Sequence, residues 1–260
     1  MNKMNVNEKL ISLWKKYYVE HPDDIKEEMK LVPMFYNESE YTPIKEIKVL
    51  SVGFNPSYVE DNYLNKKKVN EKLTEMHKWG NFVKEENVEE ILKIDMALRS
   101  KVEGLEHLFY NKYFKPLNEF YDNIEIFKKN TVQKSHIDLF FIRGTDMKKA
   151  KELLVGKEKK VGYGKKYILL TDFAKEQLKV FKKMLDKYDP TIIFIFSALS
   201  SHIFLQEKDF LGGDQQIKDD GFYHYNGVPV ILGPMLTNGV MDMISRNRLL
   251  WQINKFFNAA

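Results

Sequence analysis

Three short runs of this sequence bring together residue types that can do chemistry. Gly53-Phe54-Asn55-Pro56-Ser57 sets a glycine and an Asn-Pro pair at the end of an apolar run, the mark of a sharp turn. Asp138 sits inside a second apolar run, and Arg143-Gly144 ends it. Gly233-Pro234-Met235-Leu236-Thr237-Asn238-Gly239 follows a third, and Thr237 and Asn238 can donate hydrogen bonds. Ser200-Ser201-His202 has nucleophile-type residues, but neighbours on one helix rarely face each other. The histidines at 21, 77, 107, 136, 202 and 224 show no close metal-ligand spacing, and cysteine is absent. No zinc site is therefore expected. Gly162-Tyr163-Gly164 lies among lysines without the strand-to-helix pattern of a phosphate loop. It reads as a flexible basic loop or as a β-hairpin leading into Tyr167–Leu170.

The elements that must position these residues follow from the apolar periodicity. Leu10, Ile11, Leu13, Trp14 and Tyr17 predict a helix over Val6–Val19, and His21-Pro22 stops it. Ile47–Gly53, His136–Ile142, Thr191–Phe196 and Val228–Leu232 read as four strands. Helical stretches separate them: Glu89–Leu98, Leu105–Phe127, a helix from the Thr171-Asp172 cap to Tyr188, Ser197–Leu205, and Val240–Phe257. Strands alternating with helices imply a parallel sheet covered on both faces. The expected fold is α/β, a three-layer α/β/α arrangement on a four-stranded parallel sheet. Residues 1–44 form an N-terminal helical extension to a domain over 45–260. In such sheets the site lies beyond the carboxyl ends of the strands.

Composition limits the function classes. A chain of 260 residues with 43% hydrophobic and 30% charged residues is neither disordered nor fibrous. Its apolar runs are too short to span a bilayer, and residues 1–10 carry no apolar leader, so a cytoplasmic protein without a membrane partner is expected. The net charge of +4 is small, but its distribution is uneven. Lys148–Lys166 holds eight lysines against Glu152 and Glu158, a local excess of six. Such a patch attracts phosphates or keeps a loop solvated, and lysine suits non-specific phosphate contact better than bidentate base reading. Lys159 and Lys160 in this run, and Arg246 and Arg248 near the start of the last helix, are the candidate backbone contacts; solvation is the alternative.

The Gly-Phe-Asn-Pro-Ser turn after the first strand resembles the first motif of the uracil-DNA glycosylase superfamily, in particular the Gly-x-Asn-Pro form of its mismatch-specific and single-strand-selective branches. The order of elements is similar over residues 45–257, including the aromatic segment Trp79-Gly80-Asn81-Phe82. The resemblance implies a uracil-DNA glycosylase-like fold and base excision: hydrolysis of the N-glycosidic bond of a deaminated or damaged base in single- or double-stranded DNA. Such an enzyme flips the base out of the stack into a pocket, and its mechanism requires no metal or organic cofactor. By resemblance, Asn55 would hold the attacking water within a turn formed by Gly53, Pro56 and Ser57. Phe54 or Phe82 would stack on the base, and Asp138 would stand where an asparagine often reads the pyrimidine edge. Asn238 and Thr237 would donate to the departing base, with Met235 or Leu236 as the wedge.

Two departures bear on that picture. An ionised carboxylate at Asp138 only accepts hydrogen bonds, which favours a base edge rich in donors; the alternative is a strand-end carboxylate that caps a turn. The closing loop has no histidine where many members carry His-Pro-Ser, and Thr237 or Asn238 serves equally as a helix cap. A non-catalytic protein of the same fold that binds nucleic acid or a protein partner is therefore the second expectation. A hydrolase of free nucleosides is the third. The excision reading requires Asn55 and Asp138 to share one pocket.

Overall fold

The computed structural model describes every residue except 1–4, 24, 38–45, 55–74, 100–113, 144–146, 162–164, 212–216, 235, 237–240 and 260. The side chains of 96–99, 147, 157–161, 165–166 and 259 are likewise outside the described set. The chain divides into two units: residues 1–38, 54–106 and 138–184, and residues 39–53, 107–137 and 185–260.

The elements in chain order are α1 (Val6–Glu20), a 3₁₀ turn (Glu27–Lys30), β1 (Ile47–Gly53), α2 (Trp79–Glu85), α3 (Val88–Arg99), α4 (Lys115–Tyr121), α5 (Glu125–Lys129), β2 (Val132–Asp138) and α6 (Met147–Leu154). β3 (Val155–Val161), β4 (Lys165–Leu170), α7 (Asp172–Tyr188), β5 (Ile192–Ile195), α8 (Ala198–Gln206), β6 (Tyr223–Tyr225), β7 (Val228–Leu232) and α9 (Met243–Ala259) follow.

The second unit is built on a sheet of order β2-β1-β5-β7-β6. β1 runs parallel to β5 and β5 to β7, while β6 is antiparallel to β7. The expectation of four parallel strands is corrected to a five-stranded mixed sheet. The extra strand has a local cause. Asn226 and Gly227 both adopt positive φ, at 48° and 84°, which closes a two-residue hairpin and folds Tyr223–Tyr225 back onto β7. A three-residue strand gives too short an alternation to read from sequence.

Strand alternation sets the core of this unit. Ile47 and Val49 of β1 and Ile192 and Phe194 of β5 face Phe120 and Tyr121 of α4, Phe127 of α5 and Ile253 of α9. Phe194 lies 5.0 Å from Tyr121 and 6.1 Å from Phe120, ring centre to ring centre. The Phe120 contact is edge-on and the Tyr121 contact tilted, and such aromatic pairs add to burial by area.

The first unit joins α1, α2, α3, the residues after β2, and the β3–β4 hairpin. Asn5 caps α1, accepting from Asn7 N while Glu8 reaches back to Asn5 N. Trp14 of α1 is fully buried, 5.3 Å from Phe173 of α7, and its indole N–H donates to Leu31 O at 3.0 Å. β3 and β4 pair antiparallel with a register shift between Val155 and Glu158, so the basic segment is a hairpin. Thr171 caps α7, its hydroxyl accepting from Ala174 N at 3.2 Å and donating to Leu153 O at 2.9 Å.

The second strand is displaced from its expected place: it covers Val132–Asp138, not His136–Ile142. Leu139, Phe140, Phe141 and Ile142 are all buried, which explains their apolar character. Their backbone groups find partners outside the sheet. Phe140 N donates to Phe54 O at 3.0 Å, Phe141 N to the Gln177 side chain at 2.8 Å, and Met34 N to Phe141 O at 2.8 Å. An apolar run of this length is a strand or a buried irregular segment, and periodicity does not separate the two.

Candidate functional site

The strand order fixes where a site belongs in the sheet. β2 lies on one side of β1 and β5 on the other, so the chain reverses its direction of winding at β1. Open α/β sheets bind ligands at such a switch point, beyond the carboxyl ends of the strands. The residues there are Ser51 and Gly53 of β1, His136 of β2, Phe196 and Ser197 after β5, and Gly233 after β7.

Ser51 and His136 form the polar contact of this end. The Ser51 side chain is buried in the sheet, aligned with Phe194 of β5. Its oxygen lies 2.9 Å from His136 Nδ1 and 3.2 Å from Ser135 O. A hydroxyl carries one proton. When it donates to Ser135 O, Nδ1 must carry the hydrogen; when it donates to Nδ1, the imidazole hydrogen sits on Nε2. Either way the contact fixes the imidazole's orientation, and Phe114 packs edge-on against the ring at 5.0 Å. Sequence reasoning did not single out this pair. The available signal was a serine inside the apolar run Val49-Leu50-Ser51-Val52, since a buried hydroxyl needs a partner.

Beside it, Ser197 caps α8. Ser200 N and the Ser200 hydroxyl donate to Ser197 Oγ at 3.4 and 3.0 Å, and the Ser201 hydroxyl donates to Ile195 O at 3.0 Å. These bonds commit Ser200 and Ser201 to the local backbone and cap. Gly233 N donates to Ile195 O at 3.0 Å, and a Cβ on Gly233 would stand 3.0 Å from the Phe196 ring. Glycine here lets the turn after β7 lie against that ring.

The sequence candidates fall as follows. Gly53 is the last residue of β1, and Asp138 the half-buried last residue of β2. Phe54 is buried, edge-on to Phe140 at 5.1 Å. Phe82 is buried with its ring 5.3 Å from Phe35 and 5.6 Å from Trp79, a core position of the first unit. Leu236 is buried in the core cluster of the second unit. Arg246 is half-buried on the first turn of α9. Lys159 and Lys160 belong to β3, and their side chains lie outside the described set. Asn55, Pro56, Ser57, Met235, Thr237 and Asn238 lie outside the described residues, so the shared pocket of Asn55 and Asp138 does too.

The first unit holds a different polar cluster. Arg143 Nη2 donates to Asp95 Oδ2 at 2.6 Å, and His77 Nε2 lies 3.1 Å from Asp95 Oδ1. Arg143 also donates to Val32 O at 3.1 Å and Pro33 O at 3.4 Å. All three side chains are buried. Burial alone would raise the Asp95 carboxyl, but the Arg143 charge and the His77 hydrogen bond outweigh it and hold the group well below the usual carboxylate range. Its sequence signal was a carboxylate four residues after Ile91, on the apolar stripe of α3.

Among the described residues, no group of three or more His, Cys, Asp or Glu is arranged to hold a metal, and no helix is long and apolar enough to cross a membrane. No protein-family model, curated protein or solved structure matches this chain.

Proposed function

We propose that the protein excises a deaminated or damaged base from DNA by hydrolysing its N-glycosidic bond. The observation that carries this reading is the position of the Gly53-Phe54-Asn55-Pro56-Ser57 segment in the chain. It leaves β1 at the carboxyl end, at the switch point between β2 and β5. The finer fold assignment rests on the same sheet: the order β2-β1-β5-β7 is a four-strand core, and β6 is an edge addition made by the Asn226-Gly227 hairpin. That core supports a uracil-DNA glycosylase-like arrangement.

In the proposed reaction Asn55 orients a water molecule at C1′ of the flipped nucleotide. The C1′–N bond breaks with its electron pair leaving on the base, the water oxygen bonds to C1′, and a water proton passes to the base or to solvent. Asp138 accepts hydrogen bonds from the base edge. Thr237 and Asn238 donate to the departing base, and Met235 supplies the wedge. Phe54 and Phe82 are buried in the core of the first unit and are not available to stack on the base. The Lys159–Lys160 hairpin and Arg246 contribute positive potential toward the phosphate backbone. The second reading is nucleic-acid binding without cleavage, favoured by a closing loop over 233–239 that contains no histidine to stabilise the leaving base.

The test is alkali-induced strand cleavage of single- and double-stranded oligonucleotides bearing uracil, hypoxanthine, xanthine or a mismatched thymine. Excision of at least one base is expected, with Asn55→Ala lowering the single-turnover rate by about 100-fold or more, the scale of losing one preorganised polar group. No product from any substrate overturns the excision reading. Salt-sensitive binding of the same oligonucleotides would then support the second one.

A further inference from the structure

The last helix presents a face that neither the fold nor the proposed chemistry uses. α9 buries Leu249, Leu250, Ile253, Phe256 and Phe257 against the second unit, wholly or in part. On the opposite side Ile244 is 79% exposed and Trp251 61% exposed. At 100° per residue, Ile244, Arg248, Trp251 and Lys255 lie within one narrow stripe. Lys255 Nζ stands 5.2 Å from the centre of the Trp251 ring, so a cation already rests on it. Arg246 lies on the other side of the helix, toward the fold. From Met243 to Ala259 the helix has three cations and no carboxylate.

We infer that this stripe is a track for single-stranded DNA, with Trp251 stacking on a base and Arg248 and Lys255 meeting the flanking phosphates. The inference rests on the excision reading and extends it, since α9 begins just after the loop at the carboxyl end of β7. One feature and two comparisons select this occupant. Apolar and cationic side chains alternate along a single line: Ile244 and Trp251 are about 10 Å apart along the axis, and Arg248 and Lys255 are spaced likewise. A single strand offers bases and phosphates in the same alternation, and stacking on an aromatic ring tolerates any base. A membrane surface fits less well. An interfacial helix keeps its cations on the polar flank, whereas here Arg248 stands between Ile244 and Trp251 and would be pressed into hydrocarbon. A second copy of the chain fits worst, because the two helices would bring like charges together without a carboxylate to pair them.

The test uses the full chain and a fluorescein-labelled oligothymidine that contains no excisable base, read by anisotropy. Trp251→Ala should weaken binding about tenfold. Arg248→Ala and Lys255→Ala should each lower the slope of log affinity against log salt by about 0.7. Thermal melting confirms that these exposed substitutions leave the fold intact. Unchanged oligothymidine affinity in Trp251→Ala overturns the track. So does Trp251-dependent binding to phosphatidylserine vesicles, or Trp251-dependent dimerisation in sedimentation, in place of binding to the oligonucleotide. Asn55→Ala separates the two readings: loss of excision with intact oligothymidine binding supports both. Absent excision with Trp251-dependent binding keeps the track and rejects the chemistry.

Discussion

The two units treat buried polar groups in opposite ways. In the first, Asp95 and Arg143 put full charges inside the protein, and both carboxylate oxygens are engaged, one by Arg143 and one by the His77 imidazole. In the second, the carboxyl end of the sheet carries hydroxyls and an imidazole, joined through Ser51 and His136. A carboxylate with both oxygens committed has little left to offer a substrate, so the first cluster acts as a brace. It ties α3 to the segment after β2 and to the backbone of residues 32 and 33. A hydroxyl exchanges partners at far smaller cost, because it carries no charge to desolvate. The contrast separates what holds this molecule together from what it can use.

The most damaging way to challenge the contrast is to remove one charge from the brace. Arg143→Met strands Asp95 in the interior, and breaking a buried pair in this way costs about 3–5 kcal/mol. Urea unfolding should show that loss, and the double variant Asp95→Leu, Arg143→Met should recover a large part of it. A single-variant loss below about 1 kcal/mol would make the cluster incidental.

Acid provides the next challenge. The Asp95 carboxyl is depressed in the folded protein, so the stability it contributes is full above its unfolded value of about 4 and is lost as pH falls below that. Stability should therefore decline on acidification, and Asp95→Asn should flatten that decline. An unchanged acid limb in Asp95→Asn would show that other carboxylates govern it.

Both predictions concern residues that the sequence displayed without revealing their role. Three strands of the sheet and most of its helices were legible because periodicity records which face of an element is buried. β1 and β7 fall on their expected bounds, and α8 begins one residue later than expected. What escaped depends on side-chain partners distant in sequence. Leu139–Ile142 reads as strand because it is apolar, yet Phe141 N is satisfied by Gln177, 36 residues away. Ser51 and His136 are 85 residues apart, and Asp95 and Arg143 are 48 apart. No local pattern links such pairs. Phe82 illustrates the converse: an aromatic residue in a suggestive segment is held in the core by Phe35 and Trp79.

At the sheet end, the first perturbation to make is steric. Gly233→Ala drives a methyl group to 3.0 Å from the buried Phe196 ring. Overpacking of this kind costs about 1–3 kcal/mol, and the turn after β7 must shift to relieve it. Excision should fall along with stability, because that turn leads into the closing loop. A variant with lost stability and full activity would detach the loop's chemistry from its anchor.

The smallest stability effect carries the sharpest distinction. Ser51→Ala removes one hydroxyl and its bond to His136, a change of about 0.5–1.5 kcal/mol if the pair only fills the sheet. The same substitution frees the imidazole from its fixed orientation. If the carboxyl end of β1 is the working end of the molecule, the single-turnover excision rate should drop by more than that stability change accounts for, while oligothymidine binding on the exposed face of α9 stays as it was. Ser51→Thr, which retains the hydroxyl, should restore part of the rate. Equal, small losses in stability and rate would instead class Ser51 and His136 with the brace. The difference between the two units would then be one of charge and not of purpose.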